Sequence, residues 1–231
     1  LPSKEHKETD KEKVVRQQAP LGVVAAITAW NFPMTLTMNK VPPALLAGNT
    51  VVLKPAPTTP LTTLLVGEIC ASILPPGVLN VIVDQNDLGA AVTQHPDLAK
   101  ISFTGSTATG KKVMQSAAPS IKRVTLELGG NDAAIVLDDA DVKDVAPKVF
   151  FASMYNAGQV CLAIKRLYVH ESQYEAMCSE LAKLASQVVV GNGLDEGTTM
   201  GPVQNKDQFE KVKGFLADAQ ARGKVIAGSK G

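Results

Sequence analysis

From residue 21 onward the chain alternates short, almost continuously apolar runs with longer stretches whose apolar positions recur at helical spacing. The runs 21–28 (LGVVAAIT), 50–53 (TVVL), 78–83 (VLNVIV) and 101–103 (ISF) read as strands, and their lack of polar alternation suits strands buried on both faces. Helices are expected between them, over about 35–46, 60–74, 88–93 and 106–117. Thr59 before Pro60 fits an N-cap and a first helical residue, and Pro75-Pro76-Gly77 is a stop for that helix. Strand and helix in this rhythm predict an α/β fold with a parallel sheet covered on both faces.

The second half keeps the rhythm with wider spacing. Strands are expected at 123–126 and 133–137, flanking a Gly129-Gly130 turn, and Asp138, Asp139 and Asp141 supply acidic residues for the start of a helix running to about Tyr155. After Cys161 come a strand at 166–170, helices at 173–186 and 206–222, and a short apolar run at 225–227. A domain boundary is expected near residues 128–131, where two glycines and an asparagine interrupt the apolar pattern. Residues 1–16 carry five basic and four acidic side chains with little apolar periodicity and read as a solvated arm or strand.

Composition narrows the function classes. With 231 residues, 45% hydrophobic, the chain can bury one or two sizeable cores. The 23 Lys and Arg against 22 Asp and Glu leave +1, and aromatics are only 4%, so neither a basic footprint nor stacking platforms for nucleic acid are present. The 23 charge-free residues between Arg16 and Lys40 are interrupted by Pro20, Asn31, Pro33 and Asn39, and no membrane span is expected. Three cysteines without a C-x-x-C pair do not form a disulfide framework, which places the chain in the cytoplasm with reduced thiols. The absence of an initiator Met and the polar Ala-Gly-Ser-Lys-Gly finish suggest a piece of something longer.

Candidate chemistry collects at strand ends. Neither G-x-G-x-x-G nor G-x-x-x-x-G-K-[ST] occurs, and His6, His95 and His170 are too scattered for a metal cluster. The segment Phe103-Thr104-Gly105-Ser106-Thr107 runs from strand through glycine into a helix start, which suits a phosphate but is also ordinary helix-capping chemistry. Cys161 lies in the connection Asn156-Ala157-Gly158-Gln159-Val160-Cys161, better placed to meet a ligand than Cys70 or Cys178, which read as helix-face or core thiols. Glu127 ends a strand before Leu128-Gly129-Gly130, either a solvated carboxylate or a general base. Asn31 beside Trp30 follows the first buried strand and can donate to an oxyanion or simply cap a turn. In a parallel sheet, Trp30, Asn31, Lys54 and Gly105 all stand at carboxyl ends, where open α/β sheets bind ligands.

Six motifs occur in order: Ala29-Trp30-Asn31-Phe32-Pro33, Val52-Leu53-Lys54-Pro55 with Thr59-Pro60, Pro75-Pro76-Gly77-Val78-Leu79-Asn80, Phe103-Thr104-Gly105-Ser106-Thr107, Leu126-Glu127-Leu128-Gly129-Gly130 and the Cys161 segment. In order and spacing they resemble the aldehyde dehydrogenase superfamily over nearly the whole chain. The resemblance implies oxidation of an aldehyde to a carboxylic acid with NAD or NADP. Cys161 would be the nucleophile, Asn31 with the Cys161 N–H would hold the oxyanion, and Glu127 would activate water to hydrolyse the thioester. Lys54 would reach the adenosine ribose and Ser106 the pyrophosphate. Ile27, Thr28, Trp30, Pro57, Gly105, Thr109 and Leu128 complete the implied cofactor-binding set, in a Rossmann-like domain lacking the usual glycine fingerprint. The implied organisation is an oligomerisation arm over 1–18, a partial NAD(P)-binding domain over 19–128 and the first half of an α/β catalytic domain over 129–231, within a homodimer or homotetramer.

Three departures from the family pattern qualify what is implied. Ala29 replaces a common proline. Pro57 stands where many NAD-preferring members carry a glutamate that accepts from the ribose 2′-hydroxyl, so NADP+ is expected to be acceptable or preferred. Members are roughly twice as long, so these residues alone are expected to be inactive or poorly soluble, with apolar surface and a sheet edge exposed. Phe151, Met154 and Tyr155 would line part of a tunnel for an apolar or aromatic aldehyde, or else pack the helix. Two alternatives remain open: a CoA-acylating semialdehyde dehydrogenase, which has no need of Glu127, and a non-catalytic family member, which would have no need of Cys161, Asn31 and Glu127.

Overall fold

The computed structural model describes residues 4–228. It forms two compact units that divide between Leu128 and Gly129. The first opens with an antiparallel hairpin, β1 (Lys4–Thr9) and β2 (Glu12–Arg16), in the segment read as a solvated arm or strand. Every residue of β2 is exposed, and the turn is closed by Thr9 Oγ1 donating to the Glu12 carbonyl and by Lys13 facing Glu8 at 3.4 Å. The side chain of His6 lies outside the described residues.

Five parallel strands follow in the first unit: β3 (Val23–Ile27), β4 (Thr50–Lys54), β5 (Leu79–Val81), β6 (Leu98–Thr104) and β7 (Arg123–Glu127). Their order across the sheet is β5-β4-β3-β6-β7, so the chain winds outward from β3 to β5 and then crosses to the other side of β3. The parallel sheet is covered by helices on both faces because successive β3 side chains point opposite ways. Ala26 packs with Val51, Leu53 and Val41 of α1 (Pro33–Leu46), while Ala25 and Ile27 pack with Ile101, Phe103 and Val113 of α4 (Thr107–Ala117). Helices α2 (Leu61–Ala71) and α3 (Gly89–Gln94) complete the connections. Buried Asn49 clamps the start of β3, accepting from the N–H groups of Leu21 and Gly22 at 2.6 and 3.1 Å and donating to the Ala44 carbonyl.

Two helix ends differ from the sequence pattern. The residue before α2 is Pro60 itself, with no side-chain cap, so Thr59 lies one position too early to serve; α2 also ends at Ala71, ahead of the Pro75-Pro76-Gly77 stop, in a turn through Ser72–Leu74. By contrast Ser106 caps α4 as its sequence suggests, its Oγ accepting from the Thr109 N–H at 3.1 Å.

The second unit has a two-stranded parallel sheet, β8 (Asp132–Val136) and β9 (Ile164–Val169), with α5 (Val142–Met154) and α6 (Tyr174–Ser186) packed around Val136, Ala146 and Met177. Asp141 caps α5 through its carboxylate and the Lys143 N–H. Helix α7 (Lys206–Arg222) has no buried residue, and the apolar run 225–227 has no regular structure. Large apolar side chains stand exposed in both units, among them Ile121, Leu46, Ile135 and Leu194. Among the described residues no helix is long and apolar enough to cross a membrane.

Candidate active site

In the first unit the sheet register gathers the sequence-selected residues at one edge. Ile27 pairs with Lys54 on one side and Phe103 on the other, and Thr104 pairs with Glu127, so the carboxyl ends of β3, β4, β6 and β7 finish at one level. The loops leaving this edge carry Thr28, Trp30 and Asn31 after β3, Pro57 after β4, Gly105 and Ser106 after β6, and Leu128 after β7. Two backbone bonds fasten them: Thr28 N–H to the Lys54 carbonyl and Gly105 N–H to the Glu127 carbonyl, both 3.0 Å. The direction in which the chain winds across the sheet reverses between β3 and β6, and a parallel sheet opens a ligand crevice at such a point.

Close packing explains two glycines here. A Cβ at position 105 would run into the Phe103 ring, and one at position 110 would come within 2.7 Å of the Leu128 side chain. Gly105 therefore lets β6 turn directly into α4, whose N-terminal turn presents Ser106 and Thr109, their hydroxyls 2.9 Å apart and exposed. Exposed hydroxyls and N–H groups at a helix N-terminus suit a phosphate. The hydroxyl oxygens of Thr28, Thr59 and Thr104 are buried without a hydrogen-bond partner among the described residues, and all three lie at or shortly beyond the same strand ends. Unpaired buried hydroxyls are costly, so this edge is chemically suited to a polar ligand such as a dinucleotide.

Lys54 does not project freely from its strand end. Its side chain is 7% exposed and its Nζ lies 2.6 Å from Oδ1 of Asp84, a residue just past β5 whose side chain is fully buried. Burial pushes the Asp84 carboxyl up, but the hydrogen bond from Lys54, backbone N–H bonds from Leu88 and Asn86 and the Lys54 charge outweigh it and hold the group below the ordinary carboxylate range. Lys40 on α1 is also buried, its Nζ donating to Ser102 Oγ at 3.2 Å. Burial lowers its ammonium below the ordinary lysine value, while the negative charge of Glu127 acts the other way. Glu127 itself is exposed at the end of β7, as its position before Gly129-Gly130 suggests. Asp84 and Lys40 are absent from the sequence-selected set. Lys40 carries a signal, being the first charge after the long neutral stretch; Asp84 carries only its place beyond a strand end.

In the second unit, the connection from α5 to β9 is strained. Asn156, Ala157 and Gly158 take φ of 52°, 55° and 74° in succession, a left-handed turn that costs an alanine about 1–2 kcal/mol. Such strain clusters at functional sites. Lys165 fastens the loop, its Nζ donating to the carbonyls of Val160, Cys161 and Ala163 at 3.1, 3.1 and 2.9 Å. A Cβ at Gly130 would press on the Asp132 side chain and come within 2.9 Å of the Cys161 carbonyl, so the glycine admits close approach of two backbone segments. Cys161 is exposed at the tip, whereas Cys70 and Cys178 are half-buried on helices. Phe151 and Tyr155 stand nearby in sequence with ring centroids 5.1 Å apart, both exposed.

A cavity of about 490 Å³ in the second unit lies apart from the selected residues, except Met154; Leu167, Cys178, Leu181 and Val225 help line it.

The sequence model of the aldehyde dehydrogenase family matches residues 2–231. The mitochondrial succinate-semialdehyde dehydrogenase of Arabidopsis thaliana is 44% identical over 96% of this chain, which covers 42% of that protein. Among solved structures, an NAD+ complex of an aldehyde dehydrogenase from Bacillus cereus superposes with a TM-score of 0.95 at 38% identity, over 99% of this chain and 47% of that one. An E. coli NADP-dependent enzyme superposes with a TM-score of 0.94 at 38% identity, over 99% and 48%. The chain thus spans somewhat less than half the length of the relatives it matches.

Proposed function

This chain belongs to the aldehyde dehydrogenase family, and from that premise we propose that the whole protein oxidises an aldehyde to a carboxylic acid with NAD(P)+, using Cys161 as nucleophile. The observation that carries the reading is the exposure of Cys161 on a strained, lysine-fastened loop, where Cys70 and Cys178 are half-buried. The first unit acts as the NAD(P)-binding domain and the second as part of the catalytic domain.

The Cys161 thiolate adds to the aldehyde carbon, and the carbonyl oxygen takes the negative charge. The Asn31 side-chain amide and the Cys161 N–H donate to that oxygen; a neutral amide stabilises the charge without being consumed. Bound NAD(P)+ supplies an acceptor for the hydride that leaves the adduct. Cys161 then carries the acyl group as a thioester, and Glu127 takes a proton from the water that attacks it, releasing the acid and the thiolate. Ser106 and Thr109 at the start of α4 receive the pyrophosphate; Ile27, Thr28 and Trp30 bound the same crevice, as do Pro57, Gly105 and Leu128. The exposed aromatic pair Phe151 and Tyr155 supports an apolar or aromatic aldehyde. The β1-β2 hairpin, with every residue of β2 exposed, supports pairing with a second copy in a homodimer or homotetramer, and three unpaired thiols support the cytoplasm as compartment.

The test is aldehyde-dependent NAD(P)H absorbance by the full-length protein. Cys161→Ala is expected to lower kcat by about 10³-fold or more, and Glu127→Gln to lower it by roughly 10²-fold while sparing a first burst of NAD(P)H. Turnover that survives Cys161→Ala refutes the reading, and acyl-CoA formation in place of free acid redirects it to a CoA-acylating enzyme.

A further inference from the structure

We infer that Asp84 sets cofactor specificity, holding Lys54 as a neutral ion pair at the ribose position so that NAD+ is bound in preference to NADP+. The inference rests on the reading that the carboxyl edge of the first unit holds the dinucleotide, and it deepens that reading.

Topology locates the ribose. With strands ordered β5-β4-β3-β6-β7, β3 is the first strand of a doubly wound sheet and β4 its neighbour on the early side of the switch point. In dinucleotide-binding sheets of this order, an acid beyond the end of that second strand accepts from the ribose 2′-hydroxyl, and a cation there accommodates a 2′-phosphate. The end of β4 is Lys54, and the loop after it offers Pro57 and no carboxylate. Read from β4 alone, the position is a cation without a balancing acid and favours the phosphate.

The acid comes instead from the next strand. Asp84, just beyond β5, places Oδ1 2.6 Å from Lys54 Nζ, and its other oxygen accepts from the Leu88 N–H at 3.1 Å. Side-chain exposures of 7% and 0% leave the pair almost sealed. The carboxylate accepts from the Leu88 N–H on Oδ2 and faces the ammonium on Oδ1, which makes it the counter-charge of the lysine. An ammonium has three N–H donors, and a ribose hydroxyl would meet Lys54 through the 7% of its side chain that stays exposed. A doubly charged 2′-phosphate would meet a cation already neutralised and a fixed anion behind it, in surroundings that screen poorly. Asp84 is therefore a positioning residue: it acts on the cofactor through Lys54.

Calorimetric titration of the full-length protein with 5′-AMP and with adenosine 2′,5′-bisphosphate measures the discrimination directly, with kcat/KM for NAD+ and NADP+ in parallel. The native protein is expected to bind 5′-AMP roughly tenfold or more tightly than the bisphosphate. Asp84→Asn, of the same shape without the charge, is expected to shrink that ratio by roughly tenfold, and Asp84→Glu to retain most of it. Equal or tighter binding of the bisphosphate by the native protein overturns the proposal and leaves the cofactor reading standing, as does an unchanged ratio in Asp84→Asn. Binding of neither probe overturns both.

Discussion

The two units bury their sheets differently. In the first, Ala25 and Ile27 face one helical layer and Ala26 the other, and Val51, Leu53 and Ile101 are fully buried. In the second, Val136 is buried against α5 and α6, but on the opposite face Ile135 and its cross-strand partner Tyr168 are 72% and 52% exposed. The first unit thus has a sheet covered on both faces that fixes where its strand ends lie. The second offers a sheet covered on one face and spends local strain, in Asn156 and Ala157, to present a thiol. Rigid placement of strand ends and exposed placement of a thiol are separate structural tasks, and here they fall to separate units.

Core truncation separates the units most strongly. Leu53→Ala is expected to destabilise the first unit by about 2–5 kcal/mol, because it empties space between two layers, whereas Ile135→Ala changes stability by less than about 0.5 kcal/mol. Urea unfolding followed by the fluorescence of Trp30, this chain's only tryptophan, reads the first of these. An equal response to both substitutions would mean that the exposed face of β8 and β9 is covered in solution.

A smaller, pH-dependent effect sharpens the same contrast. Asp84 titrates below its ordinary value of 3.8, so the folded state binds its proton less readily than the unfolded chain. The stability this contributes is present above the ordinary value and is lost as pH falls through the lowered one. Asp84→Asn removes that part of the acid sensitivity. Thermal unfolding between pH 6 and pH 3, read at Trp30, is expected to show a shallower acid decline in the variant; parallel curves would contradict the assignment.

The strand-helix rhythm was legible because strands covered on both faces leave uninterrupted apolar runs, as Val51, Leu53 and Ile101 illustrate. Helix α7 spans the residues its pattern marks, and the Ser106 cap is found where a serine precedes the helix. The run 133–137 also forms a strand, β8, though only Val136 on it is buried. The segment 1–16 was legible as a solvated arm or strand, while the pairing of β1 with β2 was not, since the exposed β2 carries no apolar alternation to mark it. Of the proposed site, Cys161, Glu127 and Ser106 stand out in the sequence through glycine-flanked positions at element ends. The pair of Lys54 with Asp84 was not legible there, since the partners are distant in sequence and meet only through parallel pairing of β4 with β5. Nor was the left-handed Ala157, because alanine carries no signal for that conformation.

The covalent intermediate tests the central claim most directly. Full-length protein bearing Glu127→Gln, mixed with aldehyde and NAD(P)+ and then acid-quenched and digested, is expected to yield a peptide carrying an acyl group on Cys161. Its added mass equals the aldehyde less two hydrogens, one lost as the thiol proton and one as hydride, with one NAD(P)H formed per acyl group. Reduction of NAD(P)+ with no acyl group on Cys161, or with the acyl group on Cys70 or Cys178, would contradict the account.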